Sequence, residues 1–335
     1  MAREGLTGSR TDDLGLLSSI AHGDAEQPMV NGTPILERAF SHIEIGIHKY
    51  CNSKCPFCPH GQEESSSMPK GAMSEELYLK VLGDLKEMGF CGRISFHLMN
   101  EPLLSKNLVR FVRLAREYCN DACILIITNG SVLSYRYLVE LFENGADRIA
   151  INHYSKARKR LVFPLINALA SVVKMSRRNA VLHRWSSVVF LGTYYLLTLD
   201  DTSKKYLRIF FRLESERMAR VSFSITRFYT NYTNRAGNLK TKVLKEPLKE
   251  FCIYPFVQMY ITYDGKAVIC SADYFHKEVV GDVETSSLLE IWNSRRYKMI
   301  RSKLFRGDRG GLICEQCDTF FLYEPDLYYP VPGDR

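Results

Sequence analysis

No apolar run among the 335 residues reaches the ~18 to 20 that a helix needs to cross a bilayer. The first thirty residues hold no continuous hydrophobic stretch of the kind a secretion signal carries. The chain therefore reads as a soluble cytoplasmic protein with a frayed arm over 1–40 and a short tail over 321–335. The polar, charge-dominated composition of a disordered chain is also missing. Hydrophobic residues make up 46% and charged residues 24%, which suits one large core, or a barrel with a small appended domain. Acidic residues are scarce in one region only: between Lys156 and Lys249 there are 20 Lys and Arg against 5 Asp and Glu. The net charge of +8 is thus regional, and such a stretch suits either an anionic small molecule or a solvated basic surface.

Cysteine is plentiful, with ten in the chain. Without a secretion signal the compartment is reducing, so these thiols read as metal ligands rather than disulfides.

From about Ser41 to Asn152, short apolar runs alternate with amphipathic ones, the pattern of a parallel α/β architecture. The runs at 42–47, 93–98, 123–128 and 148–152 predict buried strands. Helical spacing recurs at Tyr78, Leu79, Val81, Leu82, Leu85 and Met88 after a Ser74 start, then around Leu108–Leu114 and Tyr137–Phe142. In a sheet of this class the strand-to-helix junctions share one rim, where the chemistry is placed.

Each motif falls on that rim. Straight after the first strand stands Cys51-Asn52-Ser53-Lys54-Cys55-Pro56-Phe57-Cys58. Three thiolates on one loop can hold three irons of a [4Fe–4S] cube and leave the fourth iron open to a ligand. A zinc site completed by His48 or His60 is the competing reading. A second set, Cys252, Cys270, Cys314 and Cys317, surrounds a hairpin turning at Asp264-Gly265 and a helix over 287–304. Four thiolates would saturate a cluster, and they suit structural zinc equally well.

The Cys51–Cys58 loop resembles the signature of radical S-adenosylmethionine (SAM) enzymes, including the aromatic Phe57 before the third cysteine. The second set, with its hairpin and helix, resembles the twitch domain, a shorter relative of the SPASM domain. The resemblance implies a partial (β/α)6 TIM-like barrel over 41–240, with a basic insertion at about 156–227, followed by a twitch domain over 250–320. It implies two [4Fe–4S] clusters, one on Cys51, Cys55 and Cys58 and an auxiliary one on Cys252, Cys270, Cys314 and Cys317, with SAM bound at the open iron of the first. Met99-Asn100-Glu101-Pro102 resembles the family turn that receives the SAM amino group, with Glu101 as acceptor and Asn100 in place of a glycine, where left-handed backbone angles are expected. Thr128-Asn129-Gly130 resembles the ribose-contacting turn. By this resemblance Phe57, Glu101, Thr128 and Asn129 contact SAM.

The likeness extends to family members that oxidise aminocyclitols in antibiotic biosynthesis. It covers His42 to about Asn152 and Asn234 to about Cys317. The arginine matching Arg235 contacts substrate in them, so Arg235 is the expected substrate-site residue. Their acidic substrate contact falls on Ala272 here, with Asp273 next to it as the available carboxylate. The implied activity is oxidation of a sugar or aminocyclitol alcohol to a ketone. A 5′-deoxyadenosyl radical would abstract the carbinol hydrogen, and the auxiliary cluster would take the second electron. The basic insertion would suit a phosphorylated or nucleotide-linked sugar, and a flavodoxin or ferredoxin would donate electrons. His97 lies on the right strand for a proton acceptor, although a lone histidine there is more often a core residue.

Three other readings stand beside this one. A radical epimerase needs a hydrogen donor, yet the spare Cys91, Cys119 and Cys123 precede their strands, at the opposite rim. A peptide-modifying radical enzyme has the same domains, but no separate peptide-binding domain precedes Ser41. A zinc-stabilised RNA-binding protein explains the basic stretch and its aromatics while leaving the three ordered rim motifs without a role.

Overall fold

In the computed structural model, the described residues are 29–30, 33–34, 39–152, 221–224, 233–239 and 244–319. The expected N-terminal arm, most of the basic insertion and the C-terminal tail lie outside them.

Five strands follow one another in parallel: β1 (His42–Ile45), β2 (Arg93–Ser95), β3 (Cys123–Thr128), β4 (Arg148–Asn152) and β5 (Val221–Ser224). Helix α1 (Glu75–Glu87) joins β1 to β2, α2 (Leu108–Tyr118) joins β2 to β3, and α3 (Tyr135–Glu143) joins β3 to β4. The Ser74 hydroxyl accepts from Leu77 N and opens α1, as its sequence context predicts; Ser134 does the same for Tyr137 and α3. Ile43 and Ile45, Ile94, Ile124 and Ile126, and Ile149 and Ile151 are fully buried and join one core with Val81, Leu82, Phe111 and Leu138 of the helices.

The opposite face of the first two strands is buried yet polar. His42 pairs in register with Arg93, and Glu44 with Ser95. Arg93 Nη2 donates to His42 Nδ1 at 2.9 Å. A guanidinium only donates, so Nδ1 must be the acceptor, and Nε2–H donates to Ser95 Oγ at 2.6 Å. Burial, then the neighbouring Arg93 and His97, hold the His42 pKa well below its ordinary value, so the ring stays neutral.

Strand β6 (Gln258–Ile261) pairs in parallel with β1, on the side away from β2. It then turns at Gly265, whose φ of +79° is left-handed, into antiparallel β7 (Lys266–Val268), which pairs with β8 (Val279–Asp282). The hairpin read from Asp264-Gly265 is therefore present, and its first strand extends the main sheet. The result is one eight-stranded sheet in the order β8-β7-β6-β1-β2-β3-β4-β5. The single helix expected over 287–304 is two: α4 (Leu288–Trp292) and α5 (Arg295–Phe305). Asn293 ends α4, and the Ser294 hydroxyl caps a fresh start by accepting from Tyr297 N. No helix among the described residues is long and apolar enough to cross a membrane.

Candidate functional site

The loop after β1 is built around its own cysteines. Cys58 N donates to Cys55 O at 3.1 Å, Gly61 N to Cys58 O at 2.9 Å and Ser53 N to Cys51 Sγ at 3.4 Å. His60 closes the loop: its Nε2 meets the Cys51 carbonyl at 3.1 Å, so it carries the proton, and its Nδ1 accepts from the Tyr274 hydroxyl at 3.1 Å. Burial pushes the Cys51 and Cys58 thiols up and Cys55 to about 12, and for Cys51 and Cys55 the neighbouring sulfurs add to the rise. Three crowded thiols that cannot ionise alone fit a cationic iron core, which takes them as thiolates.

The other two rim turns converge on this loop. Glu101 is 2% exposed and accepts three hydrogen bonds: from Thr128 Oγ1 at 2.5 Å and Leu103 N at 3.2 Å on Oε1, and from Asn129 N at 2.7 Å on Oε2. A carboxylate has about four acceptor positions, so three are in use. Burial raises the Glu101 pKa, and these donors oppose the rise. Thr128 Oγ1 also accepts from Gly130 N at 2.9 Å. Asn129 Nδ2 reaches Asn52 Oδ1 at 3.0 Å, Ser53 Oγ at 3.1 Å and Cys51 Sγ at 4.0 Å, which stitches the third strand's end to the cysteine loop. The structure thus brings Cys51, Cys55, Cys58, Glu101, Thr128 and Asn129 together, with Phe57 buried among them at 5% exposure. The left-handed residue of the Met99–Pro102 turn is Met99 (φ 54°), not Asn100. Asn100 instead places both its amide nitrogen and oxygen in a shielded position with no partner among the described residues. Such orphaned polar atoms beside Glu101 fit the amino and carboxylate groups of SAM.

The second cysteine set comes from three segments. Cys252 precedes a one-turn helix at Tyr254–Val257, Cys270 follows β7, and Cys314 and Cys317 bracket the end of a short 3-10 turn at Ile313–Gln316. Burial pushes the Cys252, Cys270 and Cys314 thiols up, Cys252 to about 11. The other cysteines of the set raise Cys270 and Cys314 further, while Arg309 opposes the rise at Cys252 and Cys314. Among the described residues, no group of three or more His, Cys, Asp or Glu side chains converges on a single metal ion. In a cube each sulfur binds its own iron, so the four need not meet at one point.

Arg235 lies between the two sets. It sits in the turn Asn234-Arg235-Ala236-Gly237, where φ is 49°, 54° and 76° at the last three positions. Two non-glycine residues in the left-handed region are strained, and Asn234 holds them there. Asn234 is fully buried; its N donates to Asp318 Oδ1 at 2.7 Å, its Nδ2 to Gln316 O at 2.5 Å, and its Oδ1 accepts from Gly237 N at 3.2 Å. The turn is therefore anchored on the Cys314–Cys317 segment while the Arg235 charge favours the thiolate of Cys58 in the other set.

Two features escaped sequence reasoning. Lys49, 6% exposed, donates to Tyr274 O at 2.9 Å and lies 3.8 Å above the Tyr274 ring; burial lowers its pKa to about 8. With His48, Leu98, Met99, Asp273 and His276 it lines a cavity beside the first rim loop. Glu44 and His97 face each other at 3.3 Å, Glu44 on β1 and His97 just past the end of β2. Asp273 was the available substitute for an acidic substrate contact, but its oxygens accept from Lys277 N at 2.8 Å and Glu278 N at 2.7 Å and so fold its own loop. The spare cysteines lie as expected: Cys91 is exposed ahead of β2, and Cys119 and Cys123 stand at the end of α2 and the start of β3.

Comparisons with known proteins agree with this geometry. Residues 45–155 match the radical SAM superfamily, and residues 252–318 match SPASM, an iron–sulfur cluster-binding domain. The chain is 25% identical over 294 residues to the S-adenosyl-L-methionine-dependent 2-deoxy-scyllo-inosamine dehydrogenase of Niallia circulans, covering 88% of this chain and 98% of that one. A tungsten-containing aldehyde ferredoxin oxidoreductase cofactor-modifying protein of Pyrococcus furiosus is 28% identical over 146 residues, 43% of this chain and 39% of its own. Among solved structures, BtrN in complex with AdoMet and 2-DOIA shares the fold, with a TM-score of 0.63 at 24% identity over 84% of this chain and 94% of that one. SAM and two [4Fe–4S] clusters are the cofactors these two domains take. The zinc-stabilised RNA-binding, epimerase and peptide-modifying readings are not favoured.

Proposed function

We propose that this chain is a radical SAM enzyme that oxidises one carbinol of a small aminocyclitol or sugar to a ketone; its Niallia circulans relative is named a 2-deoxy-scyllo-inosamine dehydrogenase. One observation carries the reading: the strained turn that holds Arg235 is anchored through Asn234 on the Cys314–Cys317 segment, while the Arg235 charge acts on Cys58 of the three-cysteine set. When bound, SAM and the reduced first cluster supply a 5′-deoxyadenosyl radical, and the second cluster accepts an electron.

The chain's own residues bind and orient. Asn100 and the turn braced by Glu101, Thr128 and Asn129 hold SAM, together with the buried Phe57 of the cysteine loop. Arg235 binds a substrate hydroxyl or phosphate. Glu44 Oε1 can only accept from His97 Nε2, so Nε2 carries that ring's proton and Nδ1 is left as a base. Nδ1 has no partner among the described residues, and it is the nitrogen we assign to take the carbinol hydroxyl proton once substrate binding opens a path to it. The excess of Lys and Arg over 156–249 supports an anionic group on the substrate, and an acidic flavodoxin or ferredoxin is the proposed electron donor. The proposed units are a barrel over 41–240 with the insertion at 156–227 and an auxiliary domain over 250–320, in a cytoplasmic enzyme.

The test is anaerobic reconstitution followed by SAM, dithionite and a panel of 2-deoxy-scyllo-inosamine and phosphorylated sugars. The expected result is 5′-deoxyadenosine together with a ketone two hydrogens lighter than the substrate. An isomer carrying solvent deuterium would point to epimerisation instead, and zinc in place of iron with intact SAM would overturn the enzyme reading.

A further inference from the structure

Arg309 is 2% exposed, and every partner of its guanidinium is a backbone carbonyl. Nη1 donates to Cys317 O and Thr319 O, each at 3.2 Å, while Nη2 and Nε reach Glu250 O at 3.1 and 3.4 Å. No carboxylate pairs with it among the described residues. An ion taken out of water costs several kcal/mol unless something opposite in charge lies close by. The groups available for that are the four shielded cysteines of the second set, two of which flank the segment that Arg309 holds.

We propose that Arg309 is the counter-charge of the second cluster, and that its fixed positive charge raises that cluster's reduction potential so that it serves as an electron acceptor. A [4Fe–4S] core in its oxidised state with four thiolates carries a net charge of −2, and gaining one electron makes it −3. A cation held in the low-dielectric interior stabilises the more negative state by more than the less negative one, so reduction becomes easier. This is the direction alcohol oxidation requires, because a substrate radical that has lost its hydroxyl proton must give up one electron to become a ketone. Among the other charged groups, Glu278 is negative and paired with Arg296 at 2.8 Å, and the buried Asp318, next to Cys317, is negative and accepts from Asn234 N at 2.7 Å. Arg301 lies against the rings of Trp292 and Tyr297, and it is Arg309 whose charge favours the thiolates of Cys252 and Cys314.

The inference rests on the proposed oxidation, and its test separates the two. The full-length chain is prepared as a Cys51→Ala/Cys55→Ala/Cys58→Ala variant, so that only the second cluster remains, and its midpoint potential is measured by an EPR-monitored redox titration. The titration is repeated with Arg309→Lys, Arg309→Gln and Arg309→Met added. The expected result is a potential moved to more negative values in Gln and Met and largely retained in Lys. Gln keeps amide donors for the carbonyls, so it isolates the charge. An unmoved potential in a Gln or Met variant that still holds about four irons overturns the proposal. Failure of both neutral variants to hold iron while Lys does so at an unchanged iron content overturns it also, in favour of a clamp for the 250–252 and 317–319 segments. Absence of any iron in the parent variant would count against the oxidation reading itself.

Discussion

Glu101 is a buried carboxylate whose surroundings set how it can be tested. Replacement by Gln removes the charge and leaves the three donors from Thr128, Asn129 and Leu103 facing one carbonyl oxygen and one amide nitrogen. A charge-assisted hydrogen bond contributes roughly 1.5–3 kcal/mol, so Glu101→Gln is expected to weaken SAM binding by about 10- to 100-fold, measured by equilibrium binding to the anaerobic protein. Burial lifts the Glu101 pKa above the usual carboxylate range, so its charged form is lost earlier on acidification. SAM affinity should therefore fall as pH is lowered, from a pH higher than an exposed glutamate would give, and Glu101→Gln should flatten that dependence. For His97, Gln should reduce ketone formation by ~100-fold while 5′-deoxyadenosine continues to form, since it removes the base without removing the radical. Continued 5′-deoxyadenosine formation at the parent rate is the signature that a packing role, which would disturb SAM cleavage as well, would not give. The Cys51, Cys55 and Cys58 loop was legible at this scale because three thiols so closely spaced carry chemistry, whereas Cys252, Cys270, Cys314 and Cys317 were singled out as ligands of one cluster only through the family resemblance. The tie between Glu101 and Asn129 was not, because it joins residues 28 apart in sequence, and the Glu44–His97 pair was hidden because each residue alone reads as an ordinary strand position.

At the level of elements, backbone clearance around the first cluster loop is decisive. A Cβ on Gly61 would stand 2.5 Å from the Cys55 carbonyl oxygen and 3.1 Å from the Lys54 carbonyl carbon, both backbone atoms. Gly61→Ala must therefore displace the loop, and iron per chain should fall from about eight towards about four, with the loss confined to the first cluster. Helix α4 makes a milder case. Ser287 Oγ accepts from Glu290 N at 3.3 Å while Glu290 Oε2 accepts from Ser287 N at 2.8 Å, a reciprocal capping box. Ser287→Ala should cost about 1 kcal/mol, visible as a lower unfolding midpoint with iron content unchanged. The three barrel helices and four of the strands were readable from periodicity because each buries a regular face. The break between α4 and α5 was not, because the apolar spacing runs on through Asn293 and Ser294, and only their capping chemistry marks the boundary.

For the whole molecule, acid sensitivity follows from histidines held neutral. Burial lowers the pKa of His48 and of His276 to about 4 and holds His42 well down. In the unfolded chain these rings titrate near 6.5, so between about 6.5 and about 4 the unfolded state binds more protons, and stability falls as pH falls through that window. Anaerobic thermal unfolding at about pH 7.5 and about pH 5 should show a lower midpoint at the acid end, and a His276→Gln variant should lessen the difference. At this scale the sequence separated a barrel from a later hairpin, and local pattern carries no information that β6 would lie beside β1, 216 residues earlier. That pairing has a practical consequence. The strand that delivers the radical loop is walled on one side by the region that binds the second cluster, so removal of the C-terminal third would leave β1 as a bare edge open to another chain. The auxiliary region is thus part of the sheet that carries the first cysteine loop, and cutting it away would strip β1 of the neighbour on that side.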